Sequence, residues 1–240
     1  MEKKEKSLLS RIWANRHVLR SLPKTLYFNF HYLPFRQAVH LPILLYKPRF
    51  LDMKGSVKIC CSGGVKYGMI RLGFYNVSIY PNSGIMYENH GGTIIFRGRC
   101  GIGNNAAISV GEKATLDIGD NFLNTSSLKL VAYDKVVMGE RVRFGWDCLV
   151  MDTDFHKLTK TKGGYSKGHA PVVIGSNNWF GNGCRIMKRT TTPDYCVVQG
   201  GTTLSGPVDA PPYSVVGTDS KIIVKATGVW RNVDDDKIEY

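Results

Sequence analysis

Acidic residues are scarce in this sequence: 19 Asp and Glu stand against 32 Lys and Arg, a formal charge of +13. Such an imbalance calls for an anionic partner, whether phosphate, lipid headgroup or nucleic acid. Long apolar runs are also missing. A stretch such as Leu41 to Tyr46 falls far short of the ~20 residues of a membrane-spanning helix. No charged segment followed by an apolar one and a small-residue cleavage site opens the sequence, so export is not expected and a cytoplasmic location is, including the inner face of the membrane. The six cysteines form no CxxC pair and no His-Cys cluster with zinc spacing, which argues against a structural zinc site. A chain of 240 residues is too long to need a disulfide scaffold, so the thiols are read as reduced and mostly buried. No zinc finger or clear helix-turn-helix accompanies the basic charge, and nucleic acid is not an expected partner. Hydrophobic residues at 43% exclude a wholly disordered chain.

The charge is concentrated at one end. Residues 1–48 hold nine Lys or Arg and two acids, +7 of the total. Leu8, Ile12 and Leu19, with Leu9 and Trp13 beside them, recur at helical spacing, which predicts a short basic amphipathic helix ending before Pro23. Leu26, Phe28, Phe30 and Tyr32 then alternate with other residues and predict a strand. Two readings of the basic helix stand side by side: a solvated outer face on the main body, or adhesion to an anionic membrane surface.

Glycine is abundant, at 26 residues, and a six-residue period explains why. Stepping from Ile174 by six gives Phe180, Ile186, Thr192, Val198 and Leu204. Four places into each hexad stand Asn178, Cys184, Thr190, Cys196, Thr202 and Val208, mostly small. The register recurs upstream at Met138, Phe144, Val150 and His156, with Val142 and Cys148 in the small slot. Ile102-Gly103-Asn104 and Ile118-Gly119-Asp120 are weaker copies. Neither a 3.6-residue helix nor simple alternation has this spacing. One short strand and one corner, repeated, do: the pattern predicts a β-solenoid whose coils bury their neighbours and whose ends need caps. The predicted organisation is a basic N-terminal segment (1–50), a solenoid domain (51–217) and a C-terminal tail (218–240).

Phe144 to His156 (FGWDCLVMDTDFH), Pro171 to Gly181 (PVVIGSNNWFG) and Ala210 to Gly217 (APPYSVVG) resemble segments of the hexapeptide-repeat acyltransferases. Within that family the sequence is most similar to O-acetyltransferases of bacterial surface polysaccharides. The resemblance covers roughly residues 100–225. It implies an all-β, left-handed parallel β-helix with a short N-terminal helical or extended segment and an outward loop after the catalytic His. It also implies a homotrimer, with acetyl-CoA as co-substrate in a groove between subunits and no metal.

Acyl transfer to a hydroxyl or amine needs a base for the acceptor's proton, and His is suited to that work. His156 takes an apolar slot of the hexad just before Lys157 to Ala170, a segment too polar and Gly-rich to form a coil. That should loop outward and leave the imidazole facing a cleft. The family's catalytic His matches this position. An orienting carboxylate is expected on the other ring nitrogen. In an extended chain Asp152 and Asp154 share a side with His156; Asp154 is the first choice and Asp147 the second. Matching family motifs residue by residue implies Trp179 near the reacting end, Asn182, Gly200 and Ser205 along the pantetheine arm, and Lys221 at the nucleotide phosphates. Lys188 and Arg189 are candidate helpers. His169, His90 and the N-terminal histidines are read as structural. Thr218-Asp219-Ser220-Lys221 and Gly206 depart from the family pattern at the nucleotide end. Two other readings are carried: a noncatalytic β-solenoid that binds glycans or organises an assembly, and an N-acetyltransferase acting on an amino sugar. Solenoid carbonic anhydrase requires three zinc-binding His from adjacent coils, and the strong repeat region offers only His156 and His169.

Overall fold

A computed structural model describes residues 16–217 and the short strand Val229–Trp230. Helix α1 (Arg16–Tyr32) and the one-turn α2 (Phe35–Ala38) lead into a parallel β-helix. The first coil is β1 (Ile43–Leu45), β2 (Pro48–Met53) and β3 (Ser56–Ile59), and the second is β4 (Ile70–Phe74), β5 (Ile85–Asn89) and β6 (Thr93–Phe96). The third is β7 (Cys100–Asn104), β8 (Ala106–Val110) and β9 (Thr115–Ile118), and the fourth β10 (Phe122–Ser126), β11 (Lys129–Ala132) and β12 (Lys135–Met138). The fifth runs β13 (Arg143–Phe144), β14 (Leu149–Met151), an excursion containing β15 (Thr159–Lys160), and β16 (Val172–Ile174). Beyond it come β17 (Trp179–Phe180), β18 (Arg185–Met187), β19 (Val197–Val198), β20 (Thr203–Leu204) and β21 (Val215–Val216). Finally β22 (Val229–Trp230) pairs antiparallel with β15.

Each of the first five coils contributes one strand to each of three parallel sheets, and strands separated by a whole coil are hydrogen-bonded. The first sheet reads β1-β4-β7-β10-β13-β17-β19-β21, the second β2-β5-β8-β11-β14-β18-β20 and the third β3-β6-β9-β12-β16. Isolated bridges from Val173 to Thr191 and on to Pro207 extend the third sheet. The hexad now has a physical cause. Phe180 pairs with Val198 and Val198 with Val216, a coil of three hexads, so a stride of six visits each sheet once. The coil begins at Ile43, ahead of the boundary expected near residue 51.

The interior is a column of stacked apolar side chains from Ile43 to Val198. Phe144 and Phe180 lie ring on ring, centroids 4.4 Å apart and 8° from parallel. The small slots sit under the corners, where coil carbonyls point inward. Cys148, Cys184 and Cys196 are buried there as free thiols. Cys148 Sγ donates to the Gly181 carbonyl and Cys184 Sγ to the Gln199 carbonyl, each at 3.2 Å. A thiol fits because it is small, apolar enough to bury and still a weak donor. The neighbouring Cys184 thiol and burial push the Cys148 thiol up, which keeps it protonated. Glycine at the corner after the third sheet permits close stacking: a Cβ on Gly119 would stand 2.1 Å from the Gly139 carbonyl oxygen, and one on Gly139 2.6 Å from the Ser176 nitrogen.

The N-terminal expectation is corrected. Residues 26–32 form no strand; α1 runs through Pro23 to Tyr32. The alternating aromatics misled because the inward stripe of this helix is largely polar. Ser21, Thr25, Phe28 and Asn29 are its buried side chains, at helical spacing. They close the open end of the first coil. Asn29 Nδ2 donates to the Ile43 carbonyl at 2.7 Å while its Oδ1 accepts from the Ile43 amide at 3.2 Å. Thr25 Oγ1 accepts from the Leu45 amide at 3.2 Å, and Ser21 Oγ from the Lys47 amide at 2.9 Å. The edge strand, otherwise a template for pairing with another chain, is thereby satisfied. Asn29→Ala is expected to destabilise the protein by about 1–3 kcal/mol, because it leaves a buried amide and carbonyl without partners. Urea titration checks this, and a change below about 0.5 kcal/mol would show that water or a neighbour takes over the cap. Residues 1–15, including Leu8, Ile12 and Trp13 of the expected basic helix, lie outside the described residues.

Candidate functional site

The second and third sheets meet at a corner where the fifth coil is interrupted. Its neck is a short antiparallel ladder: the Ala170 amide donates to the Asp152 carbonyl at 3.0 Å and the Asp154 amide to the Gly168 carbonyl at 2.8 Å. Beyond the neck the chain makes a hairpin. The Ser166 amide donates to the Leu158 carbonyl at 2.8 Å and the Lys160 amide to the Gly164 carbonyl at 3.0 Å, with Gly163 and Gly164 at the tip, both at positive φ. The outward loop read from the sequence is therefore an ordered arm, held on one edge by β22.

His156 lies on this arm just past the neck. Its ring is half-buried with Nδ1 shielded from solvent. Phe155, immediately before it, takes φ 59°, so the alternation that placed Asp152, Asp154 and His156 on one side does not apply. Their carboxylates do different work. Asp152 is fully buried and accepts the Tyr133 amide on Oδ1 at 2.7 Å and the Asp134 amide on Oδ2 at 2.8 Å, tying two coils together. Burial pushes its carboxyl above the usual range against those two amides. Asp154 accepts a short hydrogen bond and ion pair from Lys188 Nζ, which joins the arm's base to the sixth coil. Lys188, a candidate phosphate helper in the sequence reading, is thus committed to Asp154. Asp147 stands at the other end of β14, at the corner between the first and second sheets with φ 55°, and accepts from the Tyr80 hydroxyl. Desolvation, and after it the Asp147 carboxylate, push the Tyr80 hydroxyl up to about 12. Asp147 and His156 are therefore separated by the width of the second sheet.

His169 is buried where the arm returns, its Nδ1 2.7 Å from Asp134 Oδ2. It reinforces the neck. His90 meets Asp52 at 3.0 Å on the same corner two coils below β11. Among the described residues no group of three or more His, Cys, Asp and Glu could hold a metal ion.

The residues expected along the donor surround the outer surface of the second sheet. Asn182 and Gly200 share the corner before that sheet: the Gly201 amide donates to the Asn182 carbonyl at 2.7 Å, and Asn182 Oδ1 accepts the Trp146 amide at 3.0 Å. Both are exposed. Ser205, also exposed, follows Leu204 and so continues an outward ladder through Met151 and Met187. That ladder runs along the axis at the arm's edge of the second sheet, across the sheet from the Asn182 corner. Trp179 is separate: it projects from the first sheet, 57% exposed, above a shallow depression of about 400 Å³ shared with Leu123, Thr125, Arg143 and Gly145. Lys221 lies outside the described residues. The contacts that sequence reasoning missed, Lys188 to Asp154 and Tyr80 to Asp147, join residues 34 and 67 positions apart, beyond any local motif.

No family model and no curated protein matches the chain. Among solved structures, the polySia-specific acetyltransferase NeuO is similar at 15% identity and a TM-score of 0.42, over 78% of this chain and 84% of that one. A maltose O-acetyltransferase from Clostridium difficile 630 is similar at 15% identity and a TM-score of 0.35, over 94% and 88%. Likenesses this distant assign neither a residue nor a substrate to this chain.

Proposed function

We propose that the protein is an acyltransferase that moves an acetyl group from acetyl-CoA to a hydroxyl of a sugar in a surface polysaccharide or its precursor. The observation that carries the reading is the placement of His156: one imidazole, half-buried at the root of an ordered arm, on the only coil among the described residues that the arm interrupts. In this reading both substrates bind before chemistry. His156 takes the acceptor's proton as its oxygen attacks the thioester carbonyl. The tetrahedral intermediate collapses by breaking the carbon–sulfur bond, and the imidazolium returns its proton to the departing thiolate. Amides at the Asn182 and Gly200 corners are suited to the pantetheine arm, whose own amides need partners. Lys188 and Asp154 act by positioning, since their ion pair fixes the strand end from which the arm leaves. Three copies would assemble so that a neighbour closes the donor groove, with Trp179 on the wall facing it.

Acceptor-dependent release of CoA from acetyl-CoA tests the proposal, with a panel of hydroxyl and amino sugars and product mass read by spectrometry. An ester product is expected. An amide product would move the reading to an N-acetyltransferase. Failure of every acceptor to raise CoA release above hydrolysis, with glycan binding retained, would favour the noncatalytic solenoid.

A further inference from the structure

A helix packed on a protein body ordinarily turns its apolar stripe inward. Helix α1 does the reverse over much of its length. Its inward positions carry Ser21, Thr25 and Asn29, which the first coil needs as hydrogen-bond partners. Its outward positions carry Leu19, Leu22, Leu26, Tyr27 and Phe30, all exposed. Leu19, Leu22, Leu26 and Phe30 follow one another by three or four residues, so they form one stripe along the helix. Helix α2 extends it: Phe35 is 73% exposed, Val39 is exposed, and the Phe30 and Phe35 rings approach to 6.1 Å. Seven large apolar side chains thus face outward at one end of the β-helix. Proteins seldom leave a contiguous patch of this kind uncovered.

The charge around the patch chooses its occupant. From Leu19 to Leu51 the sequence has five Lys or Arg and no acid. Arg20 and Arg36 are exposed beside the stripe. A second copy seated face to face would bring two predominantly cationic surfaces together, with like charges opposed. An apolar stripe with aromatic residues and a cationic rim instead suits the headgroup and upper acyl region of an anionic bilayer. No described helix is long and apolar enough to cross a membrane, so the contact would be made from the surface.

We infer that the α1–α2 end of the protein docks onto an anionic membrane surface, burying Leu19, Leu22, Leu26, Tyr27, Phe30 and Phe35 at the level of the headgroups. The inference does not rest on the acyltransferase reading. Flotation of the full chain with vesicles tests it, using phosphatidylcholine alone and phosphatidylcholine with a quarter phosphatidylglycerol. Wild type is expected to float with the anionic vesicles at low salt, and raised salt should weaken that binding by screening. The triple variant Leu26→Ser, Phe30→Ser, Phe35→Ser is expected to bind at least about tenfold more weakly. All three side chains are exposed, and the far-UV circular dichroism should be unchanged. Absence of wild-type binding to anionic vesicles would overturn the inference. So would triple-variant binding equal to wild type, which would place the contact elsewhere. A fall in oligomeric state in the triple variant, with vesicle binding intact, would overturn it in favour of a second copy on this face.

Discussion

Replacing His156 with Ala is expected to slow acyl transfer by ~10²- to 10⁴-fold, the usual range for loss of a general base. Affinity for acetyl-CoA should stay within about threefold, because the imidazole meets the acceptor's proton and not the body of the donor. The two measurements separate chemistry from binding: initial rates at saturating acceptor report the first, and calorimetric titration of acetyl-CoA the second. The arm is fixed by backbone ladders at its neck, by β22 and by the Lys188–Asp154 pair. Loss of one ring should therefore leave it in place. A variant that retains near-wild-type turnover would sink the assignment of His156 as base. A variant that loses donor affinity as well would mean that the ring supports the groove.

Phe180→Ala is expected to destabilise the protein by ~3–5 kcal/mol. Phe180 is fully buried and stacked on Phe144, and its strand is held by neighbours on both sides, β13 and β19. The coil cannot collapse onto the vacated space without shifting those registers, so the cavity should persist. At the scale of a chain this long the midpoint of thermal unfolding should fall by about 10 °C. Trp179, the adjacent residue on the outer surface, serves as the internal comparison: Trp179→Ala should change stability by under about 0.5 kcal/mol in the isolated chain. Differential scanning calorimetry of the pair decides the matter. Equal shifts would mean that the inward and outward assignment of β17 is wrong.

What the sequence made legible follows from how regular each part is. From Phe144 onward most coils keep three hexads, and the inward residues could be read at a fixed stride. Earlier the first sheet steps from Leu72 to Ile102 to Asn124, longer intervals that carry extra corner residues and blur the period. Helix α1 was misread at Leu26 to Tyr32 because its inward side chains are hydrogen-bonding groups matched to β1. That logic depends on a strand edge the helix sequence does not reveal. The break after His156 was visible as a change of composition. The engagement of its neighbouring carboxylates was not, since Lys188 and Tyr80 arrive from other coils. Asp147 and Asp154 look equivalent along the sequence but sit at opposite ends of a strand.

The solenoid also sets a height. Successive strands of a sheet are ~4.8 Å apart, and β13 is the fifth strand from β1, so the coil bearing His156 stands about 19 Å along the axis from the coil that α1 caps. With the capped end resting on a bilayer, the imidazole would be raised on a stalk of four coils. A sugar joined directly to a lipid would pass beneath it, and only units several rings out along a growing glycan would come within reach.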